Sequence, residues 1–307
     1  MSGLGLLAAI VIILGPSDLS FVDSVSGASR TVPLPGPGAA MFVAPDGRVV
    51  VPAAAEDATW LVGEGRPVER WPGRLVPLFF DETDRAWALL PDELVLITYP
   101  ERLPLRRQRV EGLAGVRQAG CSGDGRLVAV MPSDRPEPVM WMVVPDDPQP
   151  VRPVPLPAAG RLVAVAPDAS MVAVGLAGGR VLLVAPEAPA LPVLIETPGE
   201  ASALWFEPRG GTLLVGCHSG SGGVLLGIRA EIRPGKPVKE QFRTPLPSPP
   251  SALVASGSEV LALCGDRVEV LGKGGRKLIR ELGAPDARGM ALAVVEARSA
   301  LPEWSDR

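Results

Sequence analysis

Asparagine does not occur in this 307-residue chain, tyrosine and histidine occur once each, and lysine is outnumbered several-fold by arginine. Asn, Tyr and Lys have AT-rich codons, so a GC-rich bacterial genome accounts for the bias, and the arginine excess says little about function. With His218 as its only histidine, the chain cannot build the usual multi-histidine metal site, and any Ser-His-Asp arrangement would have one possible base. Cys121, Cys217 and Cys264 are odd in number and far apart, which fits reduced thiols in a cytosol and not a disulfide framework. A net charge of −4 gives no reason to expect nucleic acid or an anionic membrane as partner.

Long apolar runs are also missing. Leu4–Leu14 is apolar almost throughout, but no Lys or Arg precedes it, no cleavage site follows, and it falls far short of the roughly 20 residues that span a bilayer. It reads as a buried strand, and the protein as cytoplasmic. Helices are disfavoured too. The 35 Pro and 35 Gly are scattered throughout, and each internal Pro costs a helix roughly 3 kcal/mol. Short β-branched runs bounded by Gly, Pro, Asp and Ser are what remain, the pattern of an all-β chain.

Around Met41–Val51 an apolar run, a Pro-Asp-Gly turn and a second apolar run make a hairpin, and the pattern recurs. Taking the residue after each such turn as a marker gives Arg48, Arg85, Arg126, Ser170, Thr212, Glu259 and Arg298, at steps of 37, 41, 44, 42, 47 and 39 residues. That spacing suits a four-stranded propeller blade. A second marker is Pro33-Leu34-Pro35, Pro155-Leu156-Pro157 and Pro245-Leu246-Pro247, each about ten residues before a hairpin of the first series. Proline suits an outermost edge strand, which can spare a backbone donor.

Within each repeat the strands are named A to D from axis to rim. Strand C is clearest, as in Thr59–Val62, Leu94–Ile97, Met140–Val143, Val181–Val184 and Val268–Leu271; strand D is short and polar, as in Arg106–Arg109. Met290–Val295 supplies a seventh strand A. Ala9–Leu14, Leu19–Val22 and Thr31–Leu34 would then serve as B, C and D of the same blade. The expectation is an all-β, seven-bladed β-propeller of four-stranded blades, a single domain over residues 1–307. Strands within 9–34 would complete the final blade with 288–297. Six or eight blades, or a β-sandwich, remain alternatives at this point.

Ala44-Pro45-Asp46-Gly47-Arg48 with Val49–Val51, and Ala166-Pro167-Asp168 with Val172–Val174, give the chain its family likeness. It resembles the bacterial YVTN-type and WD-repeat-like β-propellers over nearly its whole length. It has no Tyr-Val-Thr-Asn stretch, no Trp-Asp dipeptide and no Gly-His pair, so the resemblance is to the superfamily and to no named family.

Candidate chemistry is sparse. Adjacent residues on a strand point to opposite faces, so Cys217 and His218 cannot share a zinc ion, and His218 reads as a polar residue of a Gly-rich B–C loop. That loop lacks the Gly-Lys-Ser/Thr of a phosphate-binding loop. Glu56, Asp57, Asp92, Asp134, Asp266 and Asp18 fall in predicted B–C loops, where Asp ordinarily does turn chemistry. Arg106–Arg109 and Lys273–Lys277 read as a solvated outer strand and a C–D turn, and Trp60 and Trp141 as packing between blades. Counting back from the markers places Arg74, Arg117, Arg161 and Arg288 at the start of strand A, near one rim of the channel. Ala39, Ser202 and Ser251 take the same place in the other blades. Four guanidinium groups there would repel one another unless carboxylates such as Glu200 or Asp286 are interleaved, or an anion binds.

The resulting expectation is a non-catalytic scaffold that binds another protein or an anionic group through one loop face and the channel mouth. It would have no cofactor, no metal site, no nucleic-acid or membrane partner, and a monomeric state. The alternative is a lactonase-like propeller hydrolase with carboxylates at the channel mouth.

Overall fold

The computed structural model describes residues 9–294 except 24–25, 45, 64, 81–84, 91–92, 110–115, 133–137, 145–150, 209–210, 233–237, 257, 285–286 and 288. Its strands, in chain order, form seven four-stranded antiparallel sheets. The first blade joins β1 (Ala9–Leu14), β2 (Asp18–Asp23) and β3 (Ser29–Pro33) to β28 (Gly289–Val294). The second holds β4 (Phe42–Val43), β5 (Val49–Pro52), β6 (Ala58–Val62) and β7 (Glu69–Pro72). The third holds β8 (Val76–Phe80), β9 (Arg85–Leu90), β10 (Glu93–Thr98) and β11 (Pro104–Arg109). The fourth holds β12 (Val116–Cys121), β13 (Val128–Pro132), β14 (Val139–Val143) and β15 (Val151–Pro155). The fifth holds β16 (Gly160–Val165), β17 (Val172–Leu176), β18 (Arg180–Val184) and β19 (Val193–Glu196). The sixth holds β20 (Ala201–Phe206), β21 (Thr212–Ser219), β22 (Gly222–Arg229) and β23 (Glu240–Leu246). The seventh holds β24 (Ala252–Ser256), β25 (Glu259–Cys264), β26 (Arg267–Gly272) and β27 (Lys277–Gly283).

β12 touches β16, β16 touches β20, β20 touches β24, and β24 touches β28, so the first strand of each blade is the innermost. The chain is a seven-bladed β-propeller. β28 pairs antiparallel with β1, Val11 lying opposite Leu292 and Ile13 opposite Met290, an arrangement consistent with both termini sharing the first blade.

Successive side chains of a strand point to opposite faces, and here both faces are buried. Along β17, Val172, Val174 and Leu176 enter a layer shared with the fourth blade, whereas Ala173 enters one shared with the sixth. On β5, Val49 and Val51 face the first blade and Val50 the third. On β25, Leu261 and Leu263 face the first blade, and Val260, Ala262 and Cys264 the sixth. Each apolar cluster of the described residues lies between two neighbouring blades. This explains why strands B and C read as unbroken hydrophobic runs without alternation. Each fully buried Val or Leu contributes roughly 1.5–3 kcal/mol relative to an exposed one. Trp60 belongs to the layer between the first two blades, and Trp141 packs against the one between the third and fourth.

Pro33, Pro72, Pro104, Pro153 and Pro245 lie on fourth strands, where a missing donor is harmless, whereas Pro52, Pro77 and Pro132 stand on inner ones. In each Pro-Leu-Pro marker the leucine is buried. Leu34, Leu156 and Leu246 turn inward into the layer with the following blade, pinning the crossover that begins there.

Three of the turns between first and second strands share one geometry. Oδ1 of Asp46, Asp124 and Asp168 accepts the backbone N–H two residues on, at 3.1, 3.1 and 3.0 Å. The intervening residue is left-handed in all three, with φ 79° at Gly47, 70° at Gly125 and 60° at Ala169. A Cβ on Gly47 would meet no atom within 4 Å, so backbone conformation alone sets the cost of adding one. Gly47→Ala is expected to destabilise by about 0.5–1 kcal/mol and Ala169→Gly to stabilise by a similar amount. Denaturant unfolding measures both, and equal signs for the two would contradict the shared turn.

One layer holds a charge. Glu269 lies between Val268 and Val270, which face the first blade, so its side chain turns towards the sixth. It is 1 % exposed, and neither carboxylate oxygen has a hydrogen-bond partner among the described residues. Burial, reinforced by Glu281, raises its pKa above the ordinary 4.5, outweighing the opposing pull of Arg267. A carboxyl raised in the folded state stabilises below its unfolded pKa and loses that contribution as pH rises. Glu269→Leu is therefore expected to stabilise by about 1 kcal/mol at pH 7, with the gain narrowing towards pH 4. A gain that does not change with pH in melting experiments would show that ionisation is not its cause.

Candidate functional site

Because strands alternate in direction, the crossovers between blades and the turns between second and third strands emerge on one face. The two remaining sets of turns emerge on the other. Arg74 lies on the crossover from β7 to β8. Asp57, in the β5–β6 turn, accepts the Arg74 backbone N–H with Oδ1 at 2.7 Å and the Gly73 N–H with its carbonyl at 3.1 Å. The Thr59 hydroxyl donates to the Gly73 carbonyl and accepts from the Leu75 N–H, both at 2.9 Å. Asp57 and Thr59 thus fasten turn to crossover. The Arg74 guanidinium itself has no hydrogen-bond or ion-pair partner among the described residues.

Arg161 sits differently. Gly160 pairs with Leu176 and Leu162 with Gly175, so Arg161 is the extra residue of a β-bulge on an innermost strand. Arg117 occupies the corresponding bulge of β12 and Ser202 that of β20. Bulges re-aim side chains, and the Arg161 guanidinium meets the Glu200 carboxylate, which precedes the next innermost strand. The Glu200 carbonyl also accepts the His218 N–H at 3.0 Å. At the third bulge, the Ser202 hydroxyl donates to the Pro250 carbonyl at 2.8 Å, again linking to the next blade. Arg161 and Ser202 thus occupy equivalent places, and Arg74 lies earlier, on a crossover. Arg288 and Asp286 lie outside the described residues, as does the Arg117 side chain.

His218 is the exposed, penultimate residue of β21, paired with Gly223 and preceded by buried Cys217, so the strand runs further than the sequence indicated. Of the carboxylates in the turns, Glu56 pairs with Arg70 at 3.2 Å and Asp266 with Arg267 at 3.4 Å. Asp57 is occupied with the crossover, and Asp18 opens β2. Asp92 and Asp134 lie outside the described residues. No group of three His, Cys, Asp or Glu side chains able to hold a metal ion occurs among the described residues. Burial pushes the thiols of Cys121 and Cys264 up to about 12 and that of Cys217 up to about 11, so all three are protonated at neutral pH.

The opposite face carries an arrangement that sequence reasoning did not assemble. Asp46 accepts the Arg48 Nε–H at 2.6 Å and the Tyr99 O–H at 2.9 Å, the tyrosine reaching across from the third blade. Burial works to raise the Asp46 pKa, but the hydrogen bonds from Arg48 and Tyr99 outweigh it and hold the carboxyl below its ordinary value. Burial and the Asp46 charge together push the Tyr99 hydroxyl upwards. The Arg48 guanidinium lies 5.6 Å from the Tyr99 ring centroid. These groups lock two blades together. Their only sequence signal was that this is the one tyrosine in the chain.

No protein-family model matches the chain, and no curated protein matches it in sequence. Solved structures do match in shape. Apo AztD from Citrobacter koseri has a TM-score of 0.67 at 14% identity, covering 93% of this chain and 98% of that one. A functionally unknown protein from Desulfotomaculum acetoxidans has a TM-score of 0.70 at 10% identity, covering 92% and 98%. A candidate 6-phosphogluconolactonase from Bacteroides uniformis has a TM-score of 0.65 at 10% identity, covering 93% and 100%. At such identities the likeness is one of fold, and the fold shared over nearly the full length of each chain is the β-propeller.

Proposed function

We propose that this propeller is a non-catalytic scaffold that binds an anionic group of a protein partner at the channel mouth, on the face carrying the crossovers. The observation that carries the reading is the pair of equivalent bulges at Arg117 and Arg161 on neighbouring innermost strands. A bulge on the innermost strand is where a side chain can be turned away from the inter-blade layers without disturbing them. Arg161 and Glu200 are 48% and 43% exposed, so their pair is screened by water and contributes at most about 1 kcal/mol. An incoming carboxylate or phosphate that takes two guanidinium N–H groups can compete with it.

The expectation is tested with fluorescein-labelled hexaglutamate. Arg117→Ala/Arg161→Ala should weaken its binding at least tenfold with melting unchanged. Undiminished binding would remove the mouth from the account. Turnover of a sugar lactone that is lost on Glu200→Gln would replace the scaffold with the hydrolase alternative.

A further inference from the structure

A cavity of about 230 Å³ opens where the crossover from the second blade passes the outer part of the third. Its floor includes Leu75 and Ile97, and Arg74, Arg102, Arg107 and Glu101 stand around it. We infer that this cleft, with the adjoining edge of β11, is a docking site for an extended acidic segment of a partner protein, in which a carboxylate is flanked by leucine-sized side chains. It is separate from the channel mouth and does not depend on the proposal made for that site.

Three features point to this occupant. The first is charge. Three guanidinium groups face one carboxylate in the lining, and of the three only Arg107 has an ion-pair partner among the described residues, Glu93 at 2.7 Å. Neither Arg74 nor Glu101 has a side-chain partner among the described residues.

The second is how Arg102 is held. Its backbone is left-handed, with φ 60°, a conformation that side-chain-bearing L-residues rarely adopt. The turn enforces it, the Arg102 N–H donating to the Thr98 carbonyl at 2.9 Å and the Leu103 N–H to the Thr98 hydroxyl at 3.1 Å. The guanidinium is laid over the Trp71 ring, 4.9 Å from the centroid, with one N–H to the Pro72 carbonyl at 3.1 Å. It is thus fixed in place with donors to spare, and strain of this kind is found where geometry serves binding.

The third is the surface beside the cleft. Leu103 and Leu105 are 60% and 53% exposed, next to one another on a segment otherwise rich in arginine. β11 is the last strand of its sheet, so its outer backbone edge is unpaired and can accept an extended chain. Size separates a peptide from a metabolite. Small-molecule pockets run from about 300 to 1,000 Å³, whereas this cavity, at about 230 Å³, falls below that range.

The probe is a fluorescein-labelled Leu-Glu-Leu-Asp-Leu-Glu peptide, followed by anisotropy, with Leu-Lys-Leu-Lys-Leu-Lys as control. The acidic peptide should bind and the basic one should not. Arg74→Ala and Arg102→Gly should each weaken binding at least tenfold, and Arg161→Ala should leave it unchanged. Glycine relieves the backbone at position 102, so that variant should melt close to the parent; should it fail to fold, Arg74→Ala decides alone. Absence of binding, equal binding of the two peptides, or insensitivity to Arg74→Ala would overturn the inference. Loss confined to Arg161→Ala would move the peptide to the channel mouth and overturn it as well.

Discussion

Burial of both faces of every middle strand is the constraint on which the molecule depends. No blade has a core of its own: β17 gives Val172, Val174 and Leu176 to one neighbour and Ala173 to the other, and β5 and β25 divide their side chains the same way. A single blade would leave both sets in water, so stability belongs to the ring and passes between nearest neighbours. The same constraint decides where function can reside. Middle strands are committed to packing, which leaves the inner strands facing the channel, the turns on either face and the outer edges.

Those positions are held by polar devices that act between blades. Thr59 and Asp57 fasten a crossover to a turn, Ser202 reaches the Pro250 carbonyl of the next blade, and Tyr99 reaches Asp46. Those of Thr59, Ser202 and Tyr99 are partly buried, so their loss would leave a group unsatisfied and costs more than the bond contributes when made, whereas the Asp57 bond is exposed. Exposed ion pairs such as Arg161 with Glu200 are of the opposite kind, weak and screened by water.

The architecture was legible because its determinants are local and repeated. The Asp turn, the Pro-Leu-Pro handover and the unbroken apolar runs each depend on a few adjacent residues, and they recur at blade spacing. The handover leucines show how far this went: proline marked the edge strand correctly, but burial of Leu34, Leu156 and Leu246 is a tertiary fact. Bulges were not legible, since one extra residue shifts the count without leaving a compositional mark. Counting therefore treated Arg74 and Arg161 alike, although one stands on a crossover and the other on a bulged inner strand. Glu269 lies within the strand C read from Val268–Leu271, and its burial is a tertiary fact too: a blade covered on both sides leaves it no solvent-facing side. The Arg102 cleft draws on residues from two blades that no local pattern relates.

A ring of nearest-neighbour layers must close, and the pairing of β28 with β1 is where this chain does so. The direct measurement is backbone amide hydrogen exchange. If the ring is closed, β1 has a strand on each side, and Val11, Ile12 and Ile13 should exchange as slowly as Val172, Ala173 and Val174 of β17. Exchange at Val11–Ile13 as fast as at Thr31 and Val32 on the outer strand β3 would show an open ring and contradict the account.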